Sequence, residues 1–160
     1  DLLDALYRRP GFLIRRAHQI AVSIFLEEAT DLGITTTQYG ALVVLNTRQD
    51  LDQVGLSTLV GIDRSTTALV VGKLESSGFL LRKGDPQDKR RKVLALTDAG
   101  REVLTRSAEP ARRTREREMA MFTAEDQVTF LRLLETFVAT FNADTRAPIK
   151  TQATSNRRIK

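Results

Sequence analysis

The most constraining stretch of the sequence lies between Leu56 and Thr97, where two short helical runs are followed at once by a glycine stop and two β-compatible runs. Residues 56–60 form the first helical run, Gly61-Ile62-Asp63 the connection and residues 64–77 the second. Asp63 is of N-cap type and Gly78 of C′ type, so both ends of the second run are marked. Two helices joined by a tight, glycine-containing turn make a helix-turn-helix. Residues 79–83 and 92–97 then read as strands, the second through Val93-Leu94-Ala95-Leu96. Between them runs Lys83-Gly84-Asp85-Pro86-Gln87-Asp88-Lys89-Arg90-Arg91-Lys92, rich in turn formers and cations. Strand, turn and strand predict a β-hairpin wing.

Helices flank this centre. Pro10-Gly11 opens a long helix over residues 12–28, with Leu13, Ala17, Ile20 and Ile24 at helical spacing and Gly33 after its end. Thr35-Thr36-Thr37-Gln38 fits a capping box, which starts a second helix through Tyr39, Leu42, Val43 and Leu45. After the wing, Thr97-Asp98 caps a long helix running to about residue 121, with Pro110 inside it as a kink. Its stretch of Arg112, Arg113, Arg115, Glu116, Arg117 and Glu118 reads as a solvated, ion-paired face. Thr123 to Asp126 caps a last helix with one apolar stripe of Val128, Leu131, Leu134, Val138 and Phe141. The polar tail after Asp144 is expected to be extended or mobile. The fold class is therefore mainly α with a small β-hairpin: a winged helix-turn-helix with a helical region around it.

Composition then removes whole classes of function. A chain of 160 residues, 41% apolar, has the size and core material of one domain. It holds no cysteine, which excludes disulfides, thiolate metal sites and thiol redox sensing. His18 is its one histidine, so the usual paired-imidazole zinc and catalytic arrangements lack a partner. No cofactor loop, metal-ligand spacing or catalytic constellation is found, and an enzyme is not expected. No run approaches the roughly 20 apolar residues that span a bilayer, and Asp1-Leu2-Leu3-Asp4 lacks the cationic start of a signal peptide. A soluble cytoplasmic protein, bacterial or archaeal and nucleoid-associated, is the expectation.

Charge points to a partner. Residues 64–92 carry eight cations against three acids, which accounts for the whole net charge of +5. A cationic block on an otherwise balanced chain is the footprint of a phosphate-backbone binder, with a solvated positive face as the bland alternative. On a helical wheel, Thr67, Val71, Leu74 and Gly78 face a core, while Ser65, Thr66, Leu69, Lys73 and Ser76 face outward, with Arg64 at the helix start. Short hydroxyl side chains let such a helix approach the major groove, where Lys73 can reach a phosphate or a guanine. Lys89, Arg90 and Arg91 at the hairpin tip suit the minor groove, and Asp88 is placed to orient Arg90 through a bidentate carboxylate–guanidinium pair.

These residues resemble a known family. Asp63-Arg64-Ser65-Thr66, Lys73-Leu74-Glu75 with Gly78, Asp85-Pro86-Gln87-Asp88-Lys89-Arg90, Leu96-Thr97-Asp98-Ala99-Gly100 and Thr36-Thr37-Gln38-Tyr39 are similar to MarR-type regulators along nearly the whole chain. The resemblance implies a homodimer whose first and last helices interlock, with residues 1–34 and 98–146 as a helical dimerisation region. Residues 35–97 are then the DNA-binding unit, and residues 147–160 a C-terminal tail. It further implies a repressor of a pseudo-palindromic operator, its half-sites one helical turn (about 34 Å) apart, released by a small aromatic acid, a phenolic compound or a coenzyme A thioester. Two positions depart from the pattern. Leu69 stands where many members carry Arg, so a base contact is either missing or replaced by apolar contact with a thymine methyl. Arg91 stands where a small residue is common, which adds a cation for phosphate contact.

Residues 12–19 resemble the opening helix of members that control the breakdown of aromatic acids. There Arg15 and His18, one turn apart with Arg16 adjacent, are candidates to meet a carboxylate or phosphate, and Tyr39 is a further ligand candidate. Pairing of the same groups with acids of a partner subunit or with the solvent is the alternative. For the whole chain, the rival readings are a winged-helix protein-interaction module and a ligand-independent DNA-binding protein.

Overall fold

The computed structural model describes residues 1–85, 88 and 90–150. Eight helices and one hairpin follow in the order α1 Leu2–Tyr7, α2 Pro10–Glu28, α3 Thr36–Thr47, α4 Gln53–Val60, α5 Arg64–Ser76, β1 Leu80–Gly84, β2 Lys92–Leu96, α6 Asp98–Arg106, α7 Ala108–Met119 and α8 Ala124–Phe141. Short 3-10 turns sit at Thr30–Leu32 and Asn142–Asp144. The fold class expected from the sequence is the one found.

Most boundaries are set by side chains that accept from free backbone N–H groups. At α3 both halves of the capping box form: Thr35 Oγ1 accepts from Gln38 N–H at 3.2 Å, and Gln38 Oε1 from Thr35 N–H at 2.9 Å. Asp63 caps α5 and Thr123 caps α8. One start lies earlier than expected, because Asp52 accepts from Gly55 N–H at 2.8 Å and so opens α4 at Gln53 rather than at Leu56. The long helix after the wing is also two helices, and its break lies at Ser107, upstream of Pro110. A proline ring clashes with the carbonyl four residues back, here that of Arg106, the last residue of α6. Pro110 itself sits in the first turn of α7, where its missing N–H leaves nothing unpaired.

The core gathers around the central unit. Leu42 of α3, Leu56 of α4, Val71 and Leu74 of α5, Leu80 of β1, Leu94 and Leu96 of β2 and Val103 of α6 are all buried together, with Phe25 of α2 completing the cluster. The strands pair antiparallel from Leu80↔Leu96 to Gly84↔Lys92. Leu94 N–H also donates to Leu51 O at 2.7 Å, which ties the wing to the chain ahead of α4.

Two of the apolar stripes read from the sequence are not buried among the described residues. Leu13 and Ile20 of α2 are about half exposed, and Val128, Leu134, Val138 and Phe141 of α8 face solvent. Neither α1 nor α8 has a single buried residue. The tail, expected to be extended or mobile, has no helix or strand over residues 145–150 but is anchored there. Asn142 pairs with both the N–H and the C=O of Ile149 at 2.9 Å, and Lys150 N–H reaches Thr58 O at 3.2 Å. Residues 151–160 lie outside the described residues.

Candidate nucleic-acid interface and adjoining cavity

Between α4 and α5 the chain turns by 110°, within the range of helix-turn-helix pairs. Gly61 ends α4 in the left-handed conformation, and Asp63 opens α5 by accepting from both the N–H (2.9 Å) and the hydroxyl (2.6 Å) of Thr66. These bonds, led by that of the Thr66 hydroxyl, hold the Asp63 carboxyl below its ordinary range. Thr66 is therefore engaged in its own cap. Thr67, Val70, Val71 and Leu74 form the inner face of α5. Val70 takes the place expected for Gly78, which lies exposed beyond the helix with φ +75°. Outward stand Ser65, Leu69, Lys73 and Ser76, with Leu69 76% exposed.

The wing sorts its cations into two kinds. Arg82 Nε pairs with Glu75 at 3.1 Å. Arg91 donates to Asp85 at 3.0 Å, to Asp52 at 3.4 Å and to the carbonyl of Asp50 at 2.6 Å. Its pKa is raised, first by the Asp85 bond. Asp50, held at φ +63°, is the one non-glycine residue with positive φ among the described residues. Asp88 accepts from the backbone N–H of Arg90 at 2.9 Å. This corrects the expectation of an Asp88–Arg90 side-chain pair: the guanidinium held by carboxylates is that of Arg91, which locks the wing base onto the start of α4. Arg64, Lys73, Lys83, Arg90 and Lys92 are exposed and have no ion-pair partner among the described residues. Lys89 lies outside the described residues, as do Pro86 and Gln87 of the wing motif.

Such a surface fits a polyanion: a helix with small polar outward residues and, beside it, a hairpin with uncompensated cations. Matching the chain against protein-family models identifies the MarR family over residues 34–92, from the start of α3 into β2. The putative transcriptional regulatory protein for the hcr operon of Thauera aromatica is 31% identical over 126 residues, 78% of this chain and 76% of that protein. The chain belongs to the MarR family. It is a MarR-type transcriptional regulator. Among solved MarR-type structures, it is similar to the transcriptional repressor CouR bound to a 23-mer DNA duplex, at 27% identity and TM-score 0.76 over 83% of this chain and 94% of that one. It is also similar to Bordetella bronchiseptica BpsR, whose DNA binding is regulated by 6-hydroxynicotinic acid, at 25% identity and TM-score 0.76 over 82% and 94%.

Beside this unit lies a cavity of about 330 Å³ between α2, α3 and α7. His18, Ala21, Val22 and Phe25 line it from α2, Thr36 and Tyr39 from α3, and Ala111, Thr114, Arg115 and Glu118 from α7. The rings of Phe25 and Tyr39 meet with centroids 5.5 Å apart. The size suits a small ring compound held by an apolar wall and a few polar groups. Of the sequence candidates, His18 and Tyr39 are brought to this cavity. Arg15 and Arg16 are not: both donate to Gln19 Oε1, at 3.3 and 2.8 Å, and Arg15 lies over the Phe12 ring.

The cation at the cavity is Arg115. Arg113 and Arg117 bridge to Glu28 of α2 at 2.7 and 2.8 Å, Arg117 adds Glu27 at 2.9 Å, and Arg112 pairs with Glu109 and Glu116. Arg115 has no carboxylate partner among the described residues. Nearby, burial alone raises the pKa of Glu118. Sequence reasoning merged Arg115 with its paired neighbours. The signal that separates it is the spacing of Ala111, Thr114, Arg115 and Glu118, which shares one helix face.

Proposed function

We propose that the protein is a homodimeric repressor that binds a pseudo-palindromic operator and is released by a small aromatic acid entering the α2–α3–α7 cavity. The position of that cavity carries the reading. Its walls join α3, which opens the proposed DNA-binding unit of residues 35–97, to α2 and α7 of the flanking region. A ligand that fits one spacing of these helices better than another shifts the unit relative to its frame by its differential affinity. Within the site, Arg115 supplies the charge-assisted partner of a carboxylate, His18 and Thr36 supply polar contacts, and Phe25 and Tyr39 face the ring.

On the DNA side, Arg90, Lys73 and Arg64, with Lys89, contact phosphates or groove edges. Ser65 and Leu69 face the bases. Asp63 and Thr66 hold the helix start, while Asp88 and Arg91 shape the wing. CouR on its duplex and BpsR with its regulating acid support these roles by similarity. The unburied apolar faces of α1, α2 and α8 support the dimer, because burial against a second copy would remove their apolar surface from water. Residues 1–34 and 98–146 are then the dimerisation region, and the protein works in the cytoplasm.

The test begins with selection of bound duplexes from a random pool, followed by titration of the complex with 4-hydroxybenzoate and 6-hydroxynicotinate. Saturable release by either acid is the expected result. Failure to select any duplex would sink the DNA reading. Selection without release by any aromatic acid would leave a ligand-independent regulator in its place. Sedimentation of Val138→Glu is expected to show a monomer, and an unchanged mass would remove α8 from the interface.

A further inference from the structure

The end of α8 is fastened to the helix-turn-helix, far from it in sequence. The Asn142 side chain closes a loop on Ile149, donating to its carbonyl and accepting from its N–H, both at 2.9 Å. Thr145 Oγ1 donates to Asn142 O at 3.0 Å within the same loop. Held in this way, the chain delivers Lys150 N–H to Thr58 O of α4 at 3.2 Å. Ile149 sits against Gly61, the turn residue ahead of α5. A Cβ at Gly61 would stand 2.6 Å from Ile149 Cγ1, closer than real side chains approach, and 3.7 Å from Ala147 O, an ordinary contact. Gly61 is thus required twice, by its φ of +73° and by the segment lying on it.

We propose that residues 142–150 form a strap that fixes the pitch of the helix-turn-helix on its frame, making Asn142, Ile149 and Gly61 determinants of operator spacing. The covalent chain joins the central unit to its surroundings at Thr35 and at Thr97. Beside these two joints, Phe25 of α2 and Val103 of α6 pack into one core with Leu42 and Leu74. The strap adds an attachment at the turn just ahead of α5, where it restrains rocking of the unit about that core. In a dimer each recognition helix then has a set direction, so the distance between half-sites that both can occupy is narrow. A released strap lets α5 swing and tolerates other spacings. This inference rests on the dimeric DNA-binding reading above.

The test compares full-length wild type with Ile149→Ala and Asn142→Ala on the duplex selected by wild type and on the same duplex with one base pair inserted between half-sites. Amide exchange at Ile149 and Lys150 is followed in parallel. Wild type is expected to lose about tenfold or more on insertion, and the variants about threefold or less, with faster exchange at both amides. Asn142→Asp, which keeps the acceptor for Ile149 N–H, is expected to recover part of the discrimination. Faster exchange with undiminished spacing discrimination would overturn the proposal. Unchanged exchange in both alanine variants would also overturn it, since the strap would then be held by other contacts. If wild type selects no duplex, the DNA reading itself falls and takes the spacing role with it, whereas exchange reports on the strap independently.

Discussion

Residues 64–92 and 112–118 are both dense in cations, and the fold treats them in opposite ways. In the first, among the described residues, Arg64, Lys73, Lys83, Arg90 and Lys92 stand exposed without acidic partners, and only Arg82 and Arg91 are consumed by structure. In the second, three of four arginines are spent on Glu27, Glu28, Glu109 and Glu116, and Arg115, at the cavity, is the one without a carboxylate partner among the described residues. Arg115 is exposed like the free cations of the first region, and what sets it apart is its place on the rim of the cavity. The difference teaches that the count of arginines in a segment says less than which of them a carboxylate already holds.

Removing the exception in the second region should give the largest effect. Arg115→Ala is expected to raise the half-effective concentration of a releasing aromatic acid roughly tenfold or more, since a bond to a charged group contributes about 1.5–3 kcal/mol. DNA affinity without the acid should stay as it was, and an unchanged acid response would dissociate Arg115 from the site. In the first region, Arg90→Ala should weaken duplex binding by roughly tenfold and flatten the log–log salt dependence by about 1. Equal salt slopes for wild type and variant would mean that Arg90 touches no phosphate.

Arg91→Ala separates the two kinds of cation within the wing. It should lower the melting temperature, because Asp52, Asp85 and the Asp50 carbonyl lose their common donor, while changing the salt slope less than Arg90→Ala does. A pure loss of salt slope with unchanged melting would reverse the assignment.

Acid provides a finer probe of the paired face. Bonds from Arg113 and then Arg117 hold the Glu28 carboxyl below its ordinary pKa. The stability it contributes is therefore present above the ordinary carboxylate value and lost as pH falls through the lowered one. Melting of Glu28→Gln should fall below wild type at neutral pH and converge with it in acid. Glu118 runs the other way and is the smallest effect. Burial raises its pKa, so the folded chain keeps a proton that the unfolded chain has released, and stability declines as pH rises between the two values. Glu118→Gln should gain on wild type over that interval and not below it. A constant difference across pH would exclude titration of Glu118 as its cause.

Much of the fold was legible in the sequence because its signals are local. The capping box of Thr35 and Gln38, the Asp63 cap and the hairpin around residues 84–92 depend on neighbours within a few residues, and each formed where it was expected. Asp52 is hard to read as a cap because Val54 and Gly55, which follow Gln53, are weak helix formers. The break at Ser107 was misplaced because a proline disturbs the turn before it rather than its own position. Of the ligand candidates, His18 and Tyr39 reached the cavity. Arg15 and Arg16 did not, since Gln19 lies within reach of both along the same helix.

What the sequence by itself determined was the order of helices, turn and wing, and the sign of the surface they present. These follow from periodicity, capping and charge, which are properties of short segments. The tertiary structure alone decided which cations are free, because the partners of Arg91 and Arg113 lie as much as 41 and 85 residues away. It also decided that α2, α3 and α7 line an open cavity bordered by Arg115, and that the chain after α8 returns to Gly61. Pairing across such distances is set by packing, and no local pattern encodes it.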